Sequence, residues 1–139
     1  LAEAISLFVP TPVFPSSLSF LSDRLISAID SLEGAFFLGD RLASGRLSNT
    51  VSFFLDSSDS IALLGSLDLE GVCASSGSAC SSGSVSPSHV ALALGSSVSQ
   101  ANALVRFSLG KETCSSEIDF LLGVLPTVLS RCSPSNKHV

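Results

Sequence analysis

The sequence predicts an α+β domain, a small and mostly antiparallel sheet with helices packed on one side. Three observations predict it. Apolar residues recur at helical spacing near both ends, from Leu18 to Leu32 and from Ser116 to Cys132. Short apolar runs bounded by turn residues lie between them and read as strands. Helices and strands follow one another without the strict alternation that a large parallel sheet requires. At 139 residues the chain is long enough for one domain with its own core.

Residues 1–17 are read as a linker segment, because Pro10, Pro12 and Pro15 exclude a continuous helix there. The domain proper is expected over 18–132, and 133–139 as a polar tail. Leu18, Leu21, Leu25, Ile26, Ile29 and Leu32 form one face of an amphipathic helix that Gly34 stops. Ala35 to Leu38 and Val51 to Leu55 read as strands, the second through its valine and two phenylalanines. Asp59 is placed to cap a helix from Ser60 to Leu69 that Gly71 ends, and Val72 to Ala74 reads as a further strand. Beyond the following loop, Pro87 fits the first position of a helix from Ser88 to about Leu94, capped by Ser86. In Ala103 to Leu109, Val105, Phe107 and Leu109 share one face of a strand, with Arg106 and Ser108 on the other. Thr113 or Ser115 caps the last helix, which carries acidic Glu117 and Asp119 early and Arg131 late, as the helix dipole favours, and Pro126 is expected to kink it.

Composition excludes several function classes. The net charge is −5 and the seven basic residues are scattered, so no basic stripe for nucleic acid is present. Charged residues are 14%, against about 25% in a typical soluble domain. Serine rather than a bilayer segment makes up the difference. The longest apolar stretch, Phe120 to Leu129, is interrupted by Gly123, Pro126 and Thr127, so no membrane helix is expected. Cys73, Cys80, Cys114 and Cys132 contain no Cys-x-x-Cys pair and point to no metal site. Cytoplasm or an organelle matrix, where thiols stay reduced, is the compartment expected.

The stretch with the clearest chemistry is 75–86, Ser-Ser-Gly-Ser-Ala-Cys-Ser-Ser-Gly-Ser-Val-Ser. It has no side chain large enough to anchor a core and reads as a mobile loop. Its one reactive atom is the sulfur of Cys80. An ordinary cysteine is only a few per cent thiolate at neutral pH, so Cys80 becomes a nucleophile only where a neighbour or a cofactor assists it. Arg106 is the second candidate, since a guanidinium can hold a carboxylate with two parallel hydrogen bonds. His89 reads as a structural residue of a helix face and Asn49 as a turn residue. Cys73, Cys114 and Cys132 are expected as buried small hydrophobes.

The run from Leu69 to Val90, with Ser75-Ser-Gly-Ser-Ala-Cys80 at its centre, resembles the active-site loop of the NifS-like cysteine desulfurases in its long form. Val105-Arg-Phe-Ser-Leu-Gly110 followed by Glu117-Ile-Asp-Phe120 resembles a second family motif, and Gly45-Arg-Leu-Ser-Asn-Thr-Val-Ser-Phe53 a third, although Ser48 stands where the family usually has proline. The resemblance implies the C-terminal small domain of a class V aminotransferase fold. It implies Cys80 as the thiol that takes sulfur from L-cysteine, leaving L-alanine, and Arg106 as the holder of the substrate carboxylate. A sulfur acceptor or iron-sulfur scaffold protein as partner is implied too, as is a homodimer. Pyridoxal phosphate (PLP) is the implied cofactor, but it needs a Schiff-base lysine. The only lysines, Lys111 and Lys137, do not match the family's. The cofactor is therefore expected in a large domain absent from this chain, which alone is expected to be inactive. Two other readings remain beside it: a non-catalytic persulfide carrier or interaction module, and a truncated inactive remnant.

Overall fold

In a computed structural model, the structure describes residues 2, 16–56, 59–77 and 86–132. Four strands, β1 (Ala35–Leu38), β2 (Thr50–Leu55), β3 (Ser75–Ser76) and β4 (Leu104–Ser108), form one sheet in the order β1-β2-β4-β3. Every pairing in it is antiparallel. Helices α1 (Ser16–Asp30), α2 (Ser60–Leu69) and α5 (Ser115–Cys132) cover one face. The α+β architecture expected from the sequence is the one observed.

Alternation along the strands decides which residues meet the helices. Val51, Phe53 and Leu55 of β2 and Val105 and Phe107 of β4 point into the core with Leu25 and Ile29 of α1, Leu63 and Leu67 of α2, and Leu121, Leu125 and Val128 of α5. Phe53 is wholly buried and stacks on Phe107 with ring centroids 5.6 Å apart. A second cluster, Leu18, Leu21, Leu109 and Ile118, ties the start of α1 to the start of α5. Register puts Phe36, Leu38, Ser52, Phe54, Leu104 and Arg106 on the opposite face. There the short helices α3 (His89–Ala93) and α4 (Val98–Asn102) pack through Ala91 and Ala101 onto Leu104 and Leu38.

Local signals account for most boundaries. The Asp59 side chain accepts from the Ile61 N–H and starts α2, and Gly71, at φ +78°, lets the chain leave it. Glu117 reaches back to accept the Cys114 N–H at 2.9 Å, half of a capping box at the start of α5. The Thr113 hydroxyl instead accepts from Gly110 and shapes the preceding turn. Helix α5 continues through Pro126, which lies exposed, so the carbonyl freed of its partner there can be hydrated.

Several expectations are corrected. No strand forms at Val72 to Ala74; the ladder begins three residues after Val72, so the stretch expected to be a loop from Ser75 opens with paired strand residues. The helix after the loop is capped by Ser88, whose side chain accepts from the Ala91 N–H, and not by Ser86, so Pro87 precedes the cap. Helix α4 was not expected at all. Cys73 and Cys114 are exposed and Cys132 is half-buried, so none is a fully buried hydrophobe. Among the described residues no helix is long and apolar enough to cross a membrane.

Candidate functional site

Arg106 stands in the middle of β4, between Ser52 on β2 and Ser75 on β3. Serines are its neighbours on both adjoining strands, and its long side chain is half-buried. Its Nη1 donates to the Gly77 carbonyl at 3.4 Å. Its Nε is buried and has no hydrogen-bond partner among the described residues. A buried guanidinium N–H left without an acceptor is costly, and a carboxylate is the ligand that relieves the cost best.

Cys80 lies outside the described residues. The described residues on either side of its stretch, Gly77 and Ser86, both line one cavity of about 210 Å³. Its other walls include Asp59 and Ser60 at the start of α2, Ser88 at the cap of α3, and Asn102 and Leu104. Leu104 is two residues from Arg106 on the same face of β4. Ser60 and Ser88, which line this cavity, are themselves buried.

A larger cavity, of about 440 Å³, lies between Gly71 to Cys73, the end of β4 and the start of α5. Neither Arg106 nor Gly77 nor Ser86 lines it. We place the candidate site at the smaller cavity, since both residues flanking the Cys80 stretch, Gly77 and Ser86, line it and Gly77 carries the contact to Arg106, although Arg106 itself is not among its walls. The exposed thiol of Cys73 belongs to the larger one.

The remaining candidates have other roles. His89 is exposed on α3 and lines neither cavity. The Asn49 carbonyl accepts from the Leu109 N–H at 2.8 Å, and its side chain meets the Thr50 hydroxyl, as suits a turn residue. Arg46, in the same stretch, is a strut missed at the sequence level: its side chain is 6% exposed, pairs with Asp23 and donates to the Ser22 hydroxyl at 3.1 Å. Gly77 was missed as well, because nothing in a serine-glycine run marks which glycine a distant arginine will reach.

The residues described do not fit pyridoxal phosphate. Lys111 is exposed beside Glu112 and lines neither cavity, and Lys137 lies outside the described residues. No Schiff-base partner faces the candidate site among them. Nor do the described residues contain a group of three or more His, Cys, Asp or Glu able to hold a metal ion.

Comparison with known proteins places the chain in a family. Residues 17–121 match the family Aminotransferase class-V, and the chain belongs to that family. Its relatives there are cysteine desulfurases. It is 40% identical over 119 residues to a cysteine desulfurase of Rhodobacter capsulatus, covering 86% of this chain and 30% of that protein. It is 36% identical over 133 residues to the cysteine desulfurase IscS of Clostridium botulinum strain Hall, covering 94% of this chain and 34% of that protein. The fold is similar to that of a NifS-like protein from Rickettsia africae, with a TM-score of 0.68 at 22% identity over 81% of this chain and 28% of the other. The chain thus spans about a third of the length of the curated relatives it matches.

Proposed function

We propose that this chain supplies the sulfur-accepting thiol and the carboxylate clamp of a cysteine desulfurase. In this reading L-cysteine is converted to L-alanine while its sulfur passes to Cys80 as a persulfide, for iron-sulfur cluster or thio-cofactor assembly. One observation carries it. Arg106, with an unsatisfied buried N–H, is register partner to Ser75 and hydrogen-bonded to Gly77, at the threshold of the Cys80 stretch.

Each part has a physical task. The guanidinium orients the amino acid by its carboxylate, so the sulfur end points away from the clamp. Cys80 is three residue steps from Gly77, a span of at most about 11 Å, which keeps the thiol within reach of a substrate held at Arg106. The amino-acid chemistry belongs to pyridoxal phosphate, held by a large domain outside residues 1–139, and no step of it is assigned to the residues described. A sulfur-acceptor or iron-sulfur scaffold protein completes the transfer, and the assembled enzyme is a homodimer in this reading.

The test joins this chain to the remaining two thirds of the Rhodobacter capsulatus enzyme. Alanine is expected from L-cysteine, together with a gain of about 32 Da on Cys80. Cys80→Ser should lose the mass gain, and the chain alone should release no alanine. Equal alanine formation by the wild-type and Cys80→Ser chimeras, with no sulfur on Cys80, would overturn the proposal. A gain on Cys80 from a small persulfide donor in the isolated chain, with no alanine from the chimera, would favour a persulfide carrier. That alternative is motivated by the absence of a suitably placed lysine among the described residues.

A further inference from the structure

Gly77 joins a ladder to a side chain. Register pairs Ser75 with Arg106 and Ser76 with Val105, so a strand continuing in register would set residue 77 opposite Leu104, its carbonyl in the plane of the sheet. The chain turns instead. Gly77 adopts φ +52°, in the left-handed region, and its carbonyl comes within 3.4 Å of Arg106 Nη1. That contact occupies one corner of the guanidinium and leaves the buried Nε as a donor with no acceptor among the described residues.

We infer that Gly77 is a positioning residue for Arg106: its backbone carbonyl fixes the rotation of the guanidinium and so the direction in which its remaining donors meet a carboxylate ligand. The inference rests on the desulfurase reading for the identity of that ligand, and on the fold alone for the positioning. Glycine is used at this point for its backbone conformation rather than for want of space. A Cβ built on Gly77 would lie 3.5 Å from the Ser88 Cβ, an ordinary contact. Asparagine, which tolerates left-handed backbone, can therefore replace it, whereas a β-branched residue would force the peptide to rotate and withdraw the carbonyl.

Two measurements test this. In arginine-labelled 15N spectra of the chain, with the Arg106 signal assigned by its loss in Arg106→Lys, the Nε–H proton should exchange with solvent about tenfold faster in Gly77→Val than in wild type, with Gly77→Asn close to wild type. Gly77→Ala should fall between them and serves where the valine variant does not fold. In the chimera with the Rhodobacter capsulatus enzyme, Gly77→Val should raise KM for L-cysteine about tenfold with kcat within about twofold, and Gly77→Asn should restore KM. A merely structural role would lower the yield of active enzyme and leave KM alone. Equal exchange rates in wild type and Gly77→Val would overturn the inference, as would an unchanged KM. A wild-type chimera that makes no alanine would count against the desulfurase reading instead, and the exchange rates would still decide the role of Gly77.

Discussion

Arg106 Nη1 lies 3.4 Å from the Gly77 carbonyl oxygen, so the guanidinium on this face of the sheet is tied to the residue at which the Cys80 stretch begins. The contact is long for a hydrogen bond, and the buried Nε has no partner among the described residues. Arg106→Lys should keep the charge and lose the fork. In the chimeric enzyme it is expected to weaken transition-state binding of L-cysteine by about 1.5–3 kcal/mol, read as a fall in kcat/KM of ten- to roughly hundredfold. A lysine variant with unchanged kcat/KM would remove Arg106 from the site.

Phe53 is the central side chain of the sheet, with no exposed surface and Phe107 stacked on it. Phe53→Ala should cost about 3–5 kcal/mol, measured as a shift of the denaturation midpoint with little change in slope. A loss under 1 kcal/mol, roughly, would mean that the core is not packed as described.

Asp59 does two jobs, capping α2 and lining the cavity beside Gly77. Asp59→Asn retains a capping oxygen and Asp59→Ala does not. The alanine variant should lose about 1 kcal/mol of stability by denaturant titration, and the asparagine variant much less. Equal losses would show that the carboxylate charge, and not the cap, stabilises the site.

The thiols should separate by exposure. Iodoacetamide followed by peptide mass analysis is expected to label Cys73 and Cys114 in the native chain well before Cys132, whose sulfur sits half-buried 3.5 Å from the Ser66 hydroxyl. Labelling of Cys132 at the same rate would place the end of α5 out of contact with α2.

Arg41 is held above its already alkaline ordinary value, first by its hydrogen bond to Asp30 and then by that carboxylate's charge. A raised folded-state value contributes stability that is fully present below the unfolded value and lost only as pH rises through the folded one. Both lie far above neutrality. The Arg41 end of this exposed pair should therefore add no slope to stability between about pH 7 and pH 10. The difference between wild type and Arg41→Gln, measured across that window by thermal unfolding, is expected to be flat.

Much of this arrangement was legible in the sequence because side chains alone dictate it. Val105, Phe107 and Leu109 alternate with Arg106 and Ser108, which fixes the strand and the face of the arginine. Asp59 and Gly71 bracket α2 by capping chemistry, so its boundaries were readable to the residue. Strand β3 was not readable, because Ser75 and Ser76 have no strand pattern and are extended only through hydrogen bonds to β4. Helix α4 was hidden by its five-residue length, too short for periodicity to register, although Ser97 and Gln100 form a full capping box that marks its start. The thiols were misjudged because Cys73 follows the turn that ends α2 and Cys114 precedes the first turn of α5, where chain ends of elements meet solvent. Gly77 required the tertiary contact itself.

The pairing of Ser75 with Arg106 has a consequence for how such a protein can diverge. A backbone ladder sets their separation whatever the length or composition of the chain between them. In the proposed desulfurase, insertions and deletions there would change the reach of the Cys80 thiol and leave the carboxylate clamp in place. Preferences for the amino acid and for the sulfur acceptor would then be free to evolve at different rates.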